Sequence, residues 1–261
     1  MTEANEKVTQ KKVTSKQDSL PAPISIFEED ASGGLENITP EDLTIPRLKI
    51  LQALSPEVNK IDGKYVQGAA AGDIFNTVTS HFYSESDQCI VIPVAYKRMF
   101  LEWQPRESGG GLVNQHTDAA ILSQTSKNEK GADILANGNY IQTSATHYCL
   151  VVEGDSFQQV MIPMAGTQLK KSRTWNSVMM GLKVKSSNGN VFTPPSYSHK
   201  YALSTVAESN DLGTWFGWSI EIAGTLEEGE MFLYDAAKYF ANNISNEGGS
   251  LASSTTSEAA F

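Results

Sequence analysis

The sequence predicts a mainly β protein with two helices, and three observations predict it. Between residues 88 and 223 the dominant hydrophobic period is two, the period of a strand with one buried face. After the third such run the period changes once, to the spacing of an amphipathic helix. Both ends are polar and poor in large apolar side chains, so the folded part is smaller than the 261 residues of the chain.

Taken in order, residues 1–40 mix charged residues with Ser, Thr and Pro around Glu28, Glu29 and Asp30, and read as a disordered segment. Residues 41–244 form one domain. Within it, 45–83 (IPRLKILQ and GDIFNTVTSHFY) add strands or a cover to one side. Residues 88–103 (QCIVIPVAYKRMFLEW) form a long strand, in which Pro93 lacks a ladder donor and argues for an edge or a bulge. From Tyr96 onward, Tyr96, Arg98 and Phe100 point one way, and Lys97, Met99, Leu101 and Trp103 the other. The polar stretch 104–139, with Gly109-Gly110-Gly111 and Asn137-Gly138, reads as a long loop, either a mobile binding loop or an insertion.

Residues 140–152 and 157–164 read as a hairpin turning through Glu153-Gly154-Asp155-Ser156. From Thr167, a plausible N-cap, the chain turns helical, because Trp175, Val178, Met179 and Leu182 fall at i, i+3, i+4 and i+7. After a polar, Pro-containing loop, 199–206 and 214–223 return to period two. A last helix is predicted over 227–244, with Thr225 and Glu228 at capping-box spacing and Phe232, Ala236, Tyr239 and Phe240 on one face. Residues 245–261 are a flexible Gly/Ser/Thr tail closed by Phe261. Five strands with a helix between the third and fourth is the order of an OB-fold-like five-stranded barrel, a fold whose face and loops bind oligonucleotides. A generic mixed α+β sheet would give the same order.

The net charge of −10 is unevenly distributed. Residues 1–44 carry −5, 45–155 carry −3 and 208–261 carry −8, whereas 156–207 carry Lys170, Lys171, Arg173, Lys183, Lys185 and Lys200 with no acid, for +6. An acidic protein thus contains a wholly basic window, and a polyanionic partner is compatible with its overall charge. No apolar run is long enough to span a membrane, and the N-terminus lacks the apolar core of a secretory signal, so a cytoplasmic protein is expected. Cys89 and Cys149 lie far apart in strand-like runs and read as buried thiols of a reducing compartment.

An enzyme would need a polar constellation, and the usual ones are missing from the sequence. His81, His116, His147 and His199 occur singly, no metal-binding, phosphate-loop or nucleophile-elbow motif appears, and no carboxylate lies between Asp155 and Glu208. The expectation is a non-enzyme with no cofactor and no metal site. Polyanion binding has a physical case. Lys170 and Lys171 fall in the first turn of the predicted helix, where cations oppose the helix dipole, and Arg173 follows; positive potential there suits phosphate. A solvated basic helix face would look the same.

Aromatic residues interleave with these cations. Phe216, Trp218, Ile220 and Ile222 share a core face, leaving Trp215 on the other face beside Gly217 and Ser219, where a base could stack. Tyr96, Arg98 and Phe100 offer a second platform, with burial of Phe100 an equally good reading. Lys97 and Lys200 add phosphate contacts, while Trp175 begins the helix's apolar stripe and reads as core. Scattered Lys with aromatics suits backbone tracking and stacking better than groove readout.

DLTIPRLKILQ (42–52), GDIFN (72–76), GTQLKKSRTWNS (166–177) and ESNDLGTWFGWSIE (208–221) together resemble segments of tailed-bacteriophage single-stranded-DNA-binding proteins of OB-fold type. The resemblance covers about 42–240 and implies a role in phage DNA replication or recombination inside the infected bacterial cell. It also implies a flexible acidic tail ending in Phe that docks replication proteins, which places partner docking at Phe261. The tail departs from that pattern, since after residue 244 it has only Glu247, Glu258 and the terminal carboxylate.

The leading expectation is a sequence-tolerant single-stranded-DNA-binding protein in which Lys97, Arg98, Lys170, Lys171, Arg173, Lys183, Lys185 and Lys200 neutralise phosphates and Tyr96, Phe100 and Trp215 stack bases. The rival is a non-enzymatic phage structural or interaction protein, a virion accessory or a regulator of host transcription. In the rival, Lys170 and Lys171 would pair with Glu227, Glu228 or Glu230. A weaker third reading is a recombination enzyme or a strand-annealing subunit. No oligomeric state follows from the sequence, a dimer being compatible with it.

Overall fold

The computed structural model describes residues 27–39, 42–129, 131–211 and 213–246. They fall into two units divided between Leu43 and Thr44. In the first, a helical turn over 27–29 leads into successive turns, and Asp42 accepts from the Thr39 N–H (2.9 Å) and Oγ1 (2.8 Å). The expected disorder of residues 1–26 and the flexible tail over 247–261, with Phe261, lie outside the described residues.

The second unit is mainly β, with a strongly curled half-barrel sheet and a few helices. Its first strands, β1 (Leu48–Ile50), β2 (Ile74–Asn76) and β3 (Phe82–Tyr83), form a small antiparallel sheet. They supply the cover expected from 45–83: Leu48, Ile74 and Tyr83 enter the main core, and Met161 donates its N–H to Pro46 O at 2.8 Å. The large sheet begins with β4 (Cys89–Trp103), β5 (Leu112–His116), β6 (Thr125–Lys127) and β7 (Asp133–Leu135). It continues with β8 (Tyr140–Glu153) and β9 (Ser156–Ala165). Helix α1 (Leu169–Gly181) and a separate hairpin of β10 (Val184–Lys185) and β11 (Val191–Phe192) follow. Strands β12 (His199–Asn210) and β13 (Gly213–Thr225) and helix α2 (Met231–Asn246) complete the chain's described elements.

The five long strands lie in the spatial order β13-β12-β4-β8-β9, all antiparallel, and in chain order α1 falls between the third of them, β9, and the fourth, β12. The order of elements is the one the periodicity predicts. The hairpin β8-β9 turns on Gly154, at φ +61°, a backbone state that suits glycine.

Pro93 sits in a bulge of β4, as its missing N–H predicts. The bulge has a positional consequence. Before it, Val91 pairs with Val151 and Pro93 with Cys149; after it, Tyr96 pairs with His147 and Arg98 with Ala145. The extra residue therefore moves even-numbered residues of β4 onto the face that odd-numbered ones held.

The two faces have separate cores. On one, Trp175 of α1 packs with Val91, Cys149, Val160, Ile162, Tyr201, Leu203 and Trp218. On the other, Leu233, Ala237, Phe240 and Ile244 of α2 pack on Ile92, Val94, Tyr148 and Leu150. The helical stripes are partly as predicted: Trp175 and Met179 face the core while Val178 is exposed, and Phe240 and Ala236 pack while Phe232 and Tyr239 face solvent. Thr167 lies within a 3-10 turn, Gly166–Gln168, and makes no cap. The capping box forms two residues later than expected, between Glu227 and Glu230, because β13 runs on through Thr225. Both cysteines are free and buried, and burial pushes the Cys89 thiol up to about 12.

The stretch 104–139 is not a long loop. It folds as β5, a 3-10 helix (Ala119–Gln124), β6 and β7, extending the sheet beyond the far ends of β4 and β8. Its anchor is buried Glu102, whose carboxylate accepts from Asn139 Nδ2 (2.6 Å) and Asn137 Nδ2 (3.3 Å) and meets His116 Nε2 at 2.9 Å. The bond from Asn139, then that of His116, holds Glu102 below the ordinary carboxylate range.

Candidate nucleic-acid interface

Tyr96 and Arg98 are exposed on alternate positions of β4, and the β4 bulge sets the face they share. Tyr96, 38% exposed, lies at the outer end of a column of rings. Its ring centroid is 5.1 Å from His147, which stacks on Trp175 at 4.4 Å, and Trp175 meets Tyr201 edge-on at 5.6 Å. His147 Nε2 and Ser172 Oγ are 2.8 Å apart, tying β8 to α1. Burial lowers His147 to about 4, so the imidazole stays neutral near pH 7. Although a Ser-His contact can serve a nucleophile, both of these residues are 1% exposed, and the pair acts as a core clamp.

Phe100 is a correction: at 3% exposure it has no free face for a base. Its neighbours in the sheet are Thr143 of β8 on one side and His116 of β5 on the other, so a strand from the stretch expected as a loop lies beside it. Lys97 is half-buried on the opposite side of β4 from Tyr96.

The six cations of the basic window divide into two groups. Lys171 and Lys200 are closed by carboxylates. Lys171 Nζ lies 2.8 Å from Glu208 Oε1, and Lys200 Nζ donates to both oxygens of Glu230, at 2.6 and 2.7 Å. Lys200 is spent on Glu230, which corrects the expectation for it, and Lys171 is held closed by Glu208 in this arrangement. Lys170, Arg173, Lys183 and Lys185 are exposed and, among the described residues, none has a carboxylate within ion-pair distance. Lys183 Nζ instead donates to Thr193 Oγ1 and the Met180 carbonyl.

Trp215 is half-buried, and its Nε1–H donates to Glu208 Oε2 at 2.9 Å. The same carboxylate therefore holds Trp215 and Lys171. Lys171 does most to keep Glu208 below the ordinary carboxylate range, with Trp215 and Lys170 adding to it against partial burial. Glu208 also lies over Gly217, where a Cβ would come within 2.6 Å of Oε2. The space beside Trp215 that could admit a base is filled by this side chain.

One feature of the surface escaped the sequence reading. The segment 183–193 was expected as a loop but forms the β10-β11 hairpin, which carries Lys183, Lys185 and the exposed Val184, Val191 and Phe192. Its signal is Asn188-Gly189 between Val184-Lys185 and Val191-Phe192, with Gly189 at φ +87°. Phe192 is thus a candidate stacking residue.

Among the described residues no group of three or more His, Cys, Asp or Glu side chains is placed to hold a metal, and no helix is long and apolar enough to cross a membrane. Neither a curated protein nor a solved structure matches the chain. A family model does, over residues 12–249, which takes in both faces of the sheet and both helices. It describes a phage protein, and on that match the chain belongs to the Pam3 phage gp34-like protein family.

Proposed function

We propose that this phage protein is a non-enzymatic, sequence-tolerant single-stranded-DNA-binding protein of a replication or recombination module, acting in the cytoplasm of the infected cell. One observation carries the reading. Lys170, Arg173, Lys183 and Lys185 are exposed on consecutive elements of an acid-free segment, without carboxylate partners among the described residues, and exposed Phe192 pairs with Val184, between Lys183 and Lys185. Cations spaced by exposed rings suit a flexible strand whose phosphates are neutralised and whose bases stack. Tyr96 and Arg98 repeat the pairing on β4. Replication proteins docking at Phe261 belong to the same proposal.

The test is a salt titration of binding to labelled oligo-dT, duplex DNA and RNA. The proposal expects oligo-dT to bind at low salt and to weaken steeply as salt rises. No shift of oligo-dT at low salt would end it, and a strand-annealing assay separates passive binding from annealing. A second reading, a structural or interaction protein of the phage, is favoured by the Lys200-Glu230 pair, which spends a basic-window cation on holding β12 to the start of α2. That reading predicts capture of a protein partner with no oligo-dT shift at any salt.

A further inference from the structure

We infer that Glu208 is an internal competitor for the DNA backbone, a carboxylate latch that holds Lys171 and Trp215 closed until a phosphate displaces it; the inference rests on the single-stranded-DNA reading above. Three features of one side chain support it. Glu208 Oε1 takes Lys171 at 2.8 Å, its Oε2 takes the Trp215 ring N–H at 2.9 Å, and the carboxylate lies over Gly217, in the space a stacked base would need. Both partners are the kinds of group that bind a single strand, a cation for phosphate and an indole for a base.

The site is built to open. Lys171 and Glu208 are partly exposed, at 33% and 25% of their side chains, so the pair is reachable from solvent and the cost of separating it is modest. A phosphodiester oxygen offers Lys171 the same charge-assisted bond that the carboxylate gives. Once Glu208 swings away, the carboxylate no longer fills the space beside Trp215 over Gly217, where Gln168 Nε2, 3.2 Å from a Cβ placed there, is the remaining neighbour. Lys200 and Glu230 form a different kind of pair, since Glu230 also accepts the Glu227 N–H and caps the start of α2. Displacing Glu230 would undo a helix end; displacing Glu208 leaves every backbone hydrogen bond in place.

The experiment compares the full chain with Glu208→Gln, Lys171→Gln and the double variant in oligo-dT titrations from 0.1 to 1 M salt, with Glu221→Gln as a control for general loss of negative charge. Glu208→Gln frees one cation for one phosphate, so its log-log salt slope should steepen by about 0.7, making it about fivefold tighter at 0.1 M relative to its advantage at 1 M. Lys171→Gln should bind more weakly than Glu208→Gln, and in its background the gain from Glu208→Gln should vanish. Glu208→Asp, too short to reach both partners, should give a gain between wild type and Glu208→Gln, and it serves if the glutamine variant does not fold. If wild type binds oligo-dT and neither Glu208 variant binds more tightly, or Glu221→Gln gains as much, the latch is wrong and the DNA reading stands. If no variant binds at low salt, both are wrong.

Discussion

The two faces of the curled sheet are built differently. Under α2, Leu233, Ala237, Phe240 and Ile244 meet Ile92, Val94 and Leu150 in a plug of aliphatic and aromatic groups, with Phe240 edge-on to Tyr148 at 6.2 Å. Under α1 the interior includes a neutral His147, Ser172, two thiols and a row of rings that emerges at Tyr96. Apolar packing suffices to attach a helix; polar groups inside a core cost stability unless they position something. The α2 face is an apolar foundation, and the α1 face carries a polar interior whose row of rings ends at exposed Tyr96.

Four experiments would break or sharpen that contrast. The largest effect is expected for Phe240→Ala, which should cost about 3–5 kcal/mol in urea unfolding while leaving the oligo-dT affinity of the folded protein unchanged. A loss of affinity in the folded fraction would mean that the two faces are coupled. Next is acid. His147 is held down to about 4 in the folded chain against 6.5 as its ordinary value. The unfolded chain therefore takes up a proton first as pH falls. His147 contributes nothing above about pH 6.5, and stability should drop between about 6.5 and 4 by up to about 3 kcal/mol. His147→Asn should flatten that part of the stability curve.

Smaller effects belong to the surface. Tyr96→Ala should weaken oligo-dT binding by about 1–3 kcal/mol, with little change in melting temperature because its ring is at the exposed end of the column. Lys170→Gln and Arg173→Gln should each reduce the log-log salt slope by about 0.7, read in the same titration. Lys200→Gln should leave the slope unchanged, since Glu230 already neutralises that lysine, and should lower stability instead.

Much of the scaffold was legible because strand period and helical period leave distinct marks. The long strands, the helix between the third and fourth and the burial of Trp175 follow from spacing, and the missing N–H of Pro93 narrows its place to an edge or a bulge, of which the structure has the bulge. Pairings between distant segments leave no such mark. Counting charge along the chain finds a basic window, yet the acids that close Lys171 and Lys200 come from Glu208 and Glu230, beyond the window and folded back onto it. Phe100 was ambiguous for the same reason, because its neighbour on one side is β5, within a stretch too polar to announce strands. Glu102, 35 and 37 positions from the asparagines that hold it, was invisible for want of any local pattern.

The free edge of β13 has a further consequence. Gln52 both donates to Phe216 O and accepts from the Phe216 N–H, each at 2.9 Å, while Gln168 Oε1 accepts the Trp218 N–H at 3.0 Å. Two side-chain amides thus stand in for a neighbouring strand and occupy the groups through which another chain could add itself. At Phe216 and Trp218 a second chain could add itself to β13 only by displacing Gln52 and Gln168.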